Sequence, residues 1–244
     1  MKHHQQRNLI FMCTCGFFLL TVPLILGYGH AASNTIIYDS ERAIGQCLAL
    51  EGFQKFGPPL EDQELQKYVN LVGNSIVRNI AAHGRTFSFV VIKSPLSGSF
   101  ALPGGIVLIT SNLFKALQSE AELACVLAYN IAHITGGHAL LSIDKTTLHA
   151  HKSNFDGIIE QLKTALYEGE YPEKFQNRAD VAAMELAYRT GYNPESFIKA
   201  LPLIAKKGSS AERMRRCIKN LLKYPDFSTL AENKQRFGNF RKTL

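Results

Sequence analysis

Cysteine is scarce in this 244-residue chain and poorly placed for cross-linking. Two of the five cysteines, Cys13 and Cys15, fall in an apolar leader, which leaves Cys47, Cys125 and Cys217. An odd number of widely spaced thiols excludes a disulfide scaffold and a CxxC metal site, and it allows at most one internal disulfide. Buried free thiols are the expectation. No cysteine directly follows the leader, which argues against a lipid anchor. Repeats, low-complexity tracts and disorder-promoting composition are absent as well. With 46% hydrophobic and 19% charged residues, the composition is that of one globular domain with a sizeable core.

Acidic residues are missing from the first 32 positions. Met1-Lys-His-His-Gln-Gln-Arg7 is a short basic start, and residues 9–26 form an 18-residue run without a charge. Gly29-His-Ala-Ala-Ser33 then offers small residues of the kind a signal peptidase accepts. This is the pattern of a secretory signal over residues 1–32, cut after Ala31 or Ala32. The alternative is an uncleaved anchor over residues 9–26, near the lower length limit for a membrane span and interrupted by Pro23. Both readings make the chain exported, and either periplasmic or envelope-associated.

Only Lys2 and Arg7 of the 27 basic residues lie in the leader, so residues 33–244 carry 25 basic and 20 acidic side chains, a formal charge of +5. The excess sits late, at Lys206, Lys207, Arg213, Arg215, Arg216, Lys219 and Lys223, and again at Lys234, Arg236, Arg241 and Lys242. Such a face fits anionic lipid headgroups, or it is simply a solvated helical face. Nucleic acid is not expected as a partner, because no nucleic-acid motif accompanies the charge and the chain is exported.

Apolar spacing predicts a helix from Ser40 to the Gly57-Pro58-Pro59 break, and a second over Asp62–His83 with Leu65, Tyr68, Val69, Leu71, Val72, Ile76, Val77 and Ile80 on one broad face. Thr86–Lys93 and Gly105–Thr110 read as two strands separated by the turn-rich Ser94–Gly105. A short helix over Asn112–Gln118 follows. Ser119-Glu-Ala-Glu122 is a capping box that opens a longer helix through Leu123, Val126, Leu127, Ile131 and Ile134. An irregular stretch with Asp144 and His149-Ala-His151 leads to helices near Ile158–Tyr167 and Glu173–Thr190, and two further helical segments finish the chain. The expected fold class is α+β: a mainly helical domain over residues 33–205 with a small β-sheet, and a helical extension over 206–244 packed on it.

The second half of the Ser119 helix reads Leu127-Ala-Tyr-Asn-Ile-Ala-His-Ile-Thr-Gly-Gly-His138. Around it stand Asp62-Gln-Glu-Leu-Gln-Lys-Tyr-Val-Asn70, Ser99-Phe-Ala-Leu-Pro-Gly-Gly105, Ser119-Glu-Ala-Glu-Leu-Ala124, Ala179-Asp180 and Ala187-Tyr-Arg-Thr-Gly-Tyr-Asn-Pro194. Taken in this order, these segments resemble the exported zinc metallopeptidases of the BepA and LoiP type, relatives of HtpX and of the CaaX prenyl proteases in peptidase family M48. The resemblance implies a gluzincin-like domain. Its first two metal ligands are the histidines of His-Glu-x-x-His, which leave one helix face a turn apart, and its Glu is the general base for the zinc-bound water. A third ligand, Glu, comes from a later helix, four residues before a supporting Asp.

Transferred residue by residue, the first His position falls on Tyr129, the general base on Asn130, the second His on His133, the third ligand on Gln176 and the supporting Asp on Asp180. One ligand of three is kept. Tyr129 would offer a protonated phenol at neutral pH and Gln176 a neutral amide oxygen, where the family uses an imidazole and an anion. Asn130 is no base in water, and general-base catalysis is typically worth about 3–5 kcal/mol of barrier. The family's Thr-His-Pro segment has Lys223-Tyr224-Pro225 as its nearest match. Gly136-Gly137 stands where better helix formers are usual, at up to about 1 kcal/mol per glycine. His133 is expected to be a satisfied buried histidine with Asp180 as its hydrogen-bond partner. His138 is expected to point about 140° away from it on a continuous helix. Cys125, flanked by Ala124 and Val126, is expected to be buried and not a nucleophile.

The resemblance also implies a peptide groove at the sheet edge beside the zinc helix, formed by Phe100, Ala101, Leu102, Pro103, Gly104 and Gly105. Backbone pairing at such an edge needs no metal. The expectation is therefore a catalytically inactive metallopeptidase homologue of the envelope, without a cofactor, that binds unfolded or envelope proteins and peptides, with a membrane surface as a further contact. The alternative is an active zinc metalloendopeptidase with an atypical ligand set, acting in envelope protein quality control. A third reading is a structural envelope subunit whose groove is vestigial.

Overall fold

A computed structural model describes residues 39–80, 84–143, 155–205 and 209–244. The leader with its cleavage site, and the pair His149 and His151, lie outside the described residues. Helix α1 covers residues 39–56 and stops at the Gly57-Pro58-Pro59 break. Helix α2, Gln63–Val77, starts where the Asp62 side chain accepts a hydrogen bond from the Leu65 backbone N–H. It leaves Leu71 of the expected apolar face exposed. It ends at Val77, short of the expected His83. Polar side chains along its last turns account for this: Asn74, Ser75 and Asn79 donate back to the carbonyls of Asn70, Val72 and Ser75, in competition with the helix ladder.

The sheet has three strands, β1 (Ser88–Ile92), β2 (Ser99–Leu102) and β3 (Ile106–Thr110), in the order β1-β3-β2. β3 runs parallel to β1, with Ser88 opposite Ile106, and antiparallel to β2, with Leu102 opposite Ile106. β2 corrects the sequence reading, which made all of Ser94–Gly105 a turn. Four residues between Gly98 and Pro103 are too few for local periodicity to show, and it is pairing with β3 that makes them a strand. Alternation along the strands divides the core in two. Phe89, Val91, Val107 and Ile109 face the larger cluster, and Leu102 and Leu108 face a smaller one beneath α1.

The two outer strands end differently. Gln66 of α2 donates to the Val91 carbonyl and accepts from the Val91 N–H, at 2.8 and 2.9 Å, and Asn70 does the same to Phe89 at 2.6 and 3.1 Å. Two carboxamides, together with backbone pairing by residues 58–60 at Val91 and Lys93, thus take the place of a neighbouring strand along β1. Among the described residues, β2 has no such cover except one side chain, described below.

A 3-10 turn at Pro103–Gly105 joins β2 to β3, and α3 (Ser111–Ala116) follows β3. Helix α4 (Glu120–Thr135) is buried along almost its whole length and forms the spine of the molecule, packed against α2, β2 and the later helices. Its capping box forms in part as read: Ser119 Oγ accepts from the Glu122 N–H at 3.1 Å, and Glu122 accepts from Gln118 N at 2.8 Å. The remaining helices are α5 (His138–Leu141), α6 (Phe155–Lys163) with a π turn at Thr164–Glu168, α7 (Glu173–Arg189), α8 (Glu195–Ile204), α9 (Ser210–Leu221) and α10 (Lys234–Arg241). Among the described residues, three helices follow Pro194 where two were expected. Residues 209–244 give Arg213, Cys217, Tyr224 and Phe237 to the buried interior, so the last helices belong to the same core as α4.

Candidate functional site

Helices α4 and α7 form the most extensive helix pair of the fold, and they carry the residues singled out in the sequence. α4 brings Tyr129, Asn130 and His133, and α7 brings Gln176 and Asp180. His133 and Tyr129 lie one turn apart with ring centres 4.5 Å from each other. Tyr129 and His133 thus meet directly, whereas Gln176 and Asp180 reach them through Tyr171 and Arg213. Their partners differ from those expected.

His133 does not pair with Asp180. Its Nδ1 faces Nδ1 of His138 at 3.0 Å, and its Nε2 is buried without a hydrogen-bond partner among the described residues. The pairing exists because α4 ends at Thr135. Gly136 caps it, and Gly137 takes the left-handed conformation, with φ 62°, before α5 restarts at His138. On an unbroken helix His138 would point elsewhere; the glycine pair turns it back. Burial holds the imidazole of His133 neutral by pushing its pKa well below the ordinary value, with His138 and Arg213 adding to the effect. His138 is shifted in the same direction, again by burial.

Asp180 is taken by Arg213 of α9, which donates from Nε and Nη2 to the two carboxylate oxygens at 3.0 and 2.6 Å. Both side chains are almost fully buried, and the guanidinium carbon stands 5.3 Å from the centre of the Tyr129 ring. Burial pushes the Tyr129 phenol up to about 12, against the pull of Arg213. Gln176 is also turned aside: its Nε2 donates to the Tyr171 carbonyl at 2.6 Å. The Tyr171 ring in turn stacks on His133, with centres 3.8 Å apart, and its hydroxyl donates to the Ala101 carbonyl of β2 at 3.3 Å. Asn130 Nδ2 donates to Ser99 Oγ at 2.9 Å and to the Val126 carbonyl at 2.8 Å. Among the described residues, no three His, Cys, Asp or Glu side chains gather closely enough to hold a metal ion.

A cavity of about 330 Å³ opens beside these residues, lined by Leu96–Ala101, Tyr129, Asn130, the Ala165–Tyr171 region and Arg213. Phe100 and Ala101 reach it. Leu102 is 0% exposed and Pro103, Gly104 and Gly105 are buried, so these four support the wall and do not line it. Phe100 stacks on Phe56 at 4.5 Å and meets Tyr167 edge-on at 5.2 Å. Cys125 is fully buried, and burial pushes its thiol up, which suits a core residue and not a nucleophile. Tyr224 packs on Tyr188, with ring centres 5.0 Å apart.

Three residues of this constellation were not picked out from the sequence. His138 was named and dismissed, because its approach depends on the break at Gly137. Arg213 stood in a basic run, although its spacing of one turn from the apolar Cys217 hinted at an inward face. For Tyr171 no local signal existed.

The helical pair with its small mixed sheet belongs to a known class. The sequence profile of peptidase family M48 matches residues 61–227, and the chain belongs to that family. It is 25% identical over 201 residues to the beta-barrel assembly-enhancing protease of Yersinia pestis, an alignment covering 75% of this chain and 41% of the relative. It is 30% identical over 150 residues to the putative beta-barrel assembly-enhancing protease of Vibrio cholerae, covering 59% and 31%. The mitochondrial metalloendopeptidase OMA1 of Arabidopsis thaliana is 21% identical over 158 residues, 62% of this chain and 33% of the relative. The chain thus spans less than half the length of the curated relatives it matches.

Proposed function

We propose that this chain is a catalytically inactive metallopeptidase homologue of the envelope that holds protein segments against the β2 edge. The observation that carries the reading is the partnering of the site residues. Gln176 spends its amide on the Tyr171 carbonyl, Asp180 is neutralised by Arg213, and Tyr129 is a neutral phenol. Zinc needs a set of imidazole and anionic donors around one point, and among the described residues only His133 with His138 offers imidazole here. These residues do not fit the ion, and Asn130 supplies no base. An active enzyme with an atypical ligand set would have to be built from the two histidines and atoms now engaged elsewhere.

The purified protein should contain no stoichiometric zinc and should not cleave casein, with or without chelator. Stoichiometric zinc with chelator-sensitive cleavage would refute the reading. Binding is tested at the cavity rim. Leu96 and Ser97 line the cavity and are exposed, so Leu96→Glu and Ser97→Glu should weaken capture of an unfolded test protein about tenfold with folding intact. Capture indifferent to both substitutions would favour a purely structural subunit. Leu102 is unsuitable for this test, since a charge there would enter the core.

A membrane surface as a further contact is supported by one face of α9 and the residues after it. Ile218 and Leu222 are 52% and 88% exposed, the exposed Lys219 and Lys223 follow them in the chain, and Arg215, paired with Glu212, lies nearly one turn before Ile218. Exposed apolar residues with neighbouring cations suit an anionic headgroup layer. The protein should float with vesicles containing phosphatidylglycerol and not with pure phosphatidylcholine, and Leu222→Glu should abolish flotation; flotation unchanged by that substitution would remove the support. Among the described residues, no helix is long and apolar enough to cross a membrane.

A further inference from the structure

The proposed inactivity accounts for three replaced side chains, but a fourth residue has entered the same site. Arg213 arrives from α9, 33 residues beyond Asp180 in the chain, and its side chain is 2% exposed against 4% for the carboxylate. Both fork nitrogens are spent on Asp180, and the guanidinium lies against the ring of Tyr129. A fixed cation therefore stands against the two positions on which the family's first metal ligand and its supporting carboxylate fall. Arginine suits this role because its charge is permanent and its planar fork matches a carboxylate in two bonds.

We infer that Arg213 is a built-in cation that closes this site to metal, so that restoring the lost ligands and base is not enough to restore zinc binding. The inference rests on the inactive reading above and deepens it. A divalent ion placed here would meet the guanidinium as a like charge. An imidazole introduced at position 129 would also find both oxygens of Asp180 already engaged by Arg213. Entry of the metal requires Arg213 to leave.

Two variants of the full chain test this by metal content after dialysis against zinc. The first is Tyr129→His, Asn130→Glu and Gln176→Glu together; the second adds Arg213→Met. The second should hold about one zinc per chain and the first less than about a tenth of that. Stoichiometric zinc in the first overturns the inference while leaving the inactive reading in place, whereas stoichiometric zinc in the native chain overturns both. A folded second variant without zinc also overturns the inference, because Arg213 would then not be what keeps the metal out. If the second variant does not fold, urea denaturation of Arg213→Met, Asp180→Asn and their combination in the native background decides. The two single losses should not add in the combination, since each charge is the other's hydrogen-bonded partner, and additive losses would overturn the inference.

Discussion

Gln176 shows how far a single side chain has been re-employed. Its amide donates to the Tyr171 carbonyl, and Tyr171 covers His133 and touches β2. A carboxylate at 176 would face that carbonyl with no proton to give, in a buried position. Gln176→Glu alone should therefore cost about 2 kcal/mol, read as a lower urea midpoint; an unchanged midpoint would mean that the amide bond contributes nothing. Gly137 matters for a different reason. At φ 62° an alanine is strained, and Gly137→Ala should cost about 1 kcal/mol and disturb the imidazole resonances of His133 and His138 in an NMR spectrum. Both effects concern residues whose roles come from neighbours distant in sequence. The types at 129, 130, 133, 176 and 180 could be read directly, but not what each one touches.

At the scale of elements, the two edges of the sheet are handled by different means. β1 is closed by Gln66 and Asn70, which reproduce the donor and acceptor pattern of a strand. Gln66→Ala would leave the Val91 N–H without its partner and the Val91 carbonyl with the Leu60 N–H alone, at a cost of about 1–2 kcal/mol, with faster amide exchange at Val91 as the local readout. The helices up to Pro194 other than the four-residue α5, and two of the strands, were legible, because their apolar periods run over five or more residues, and so was the cap at Ser119. The length of α2 was misjudged because apolar spacing continues past Val77 while its asparagines and serine bond back to the backbone. β2 was missed because a strand of four residues exists through its partner.

At the scale of the molecule, the last helix ties the fold together through one buried acid. Glu120 accepts from Tyr68 at 2.7 Å, from Tyr192 at 2.8 Å, from Asn233 at 2.9 Å and from Arg236. Burial alone would raise its pKa, but these four donors outweigh burial and hold the carboxyl below its ordinary value. The unfolded chain therefore binds this proton more readily than the folded one. The stability it contributes is complete above the unfolded value of about 4.3 and is lost as the pH falls through the lower folded value. Acid unfolding should steepen below about pH 4.3, and Glu120→Gln should cost about 2 kcal/mol at pH 7 and flatten that limb. An unaltered acid limb in the variant would remove Glu120 as its source.

The sequence by itself determined the α+β class, the family likeness and the chemical poverty of Tyr129, Asn130 and Gln176, because residue type and spacing carry that information locally. Tertiary structure alone decided that His133 meets His138, that Asp180 belongs to Arg213 and that Tyr171 lies over the site. Each of these depends on where separate helices come to rest, and a buried charge or imidazole takes whichever partner the packing of those helices brings within reach.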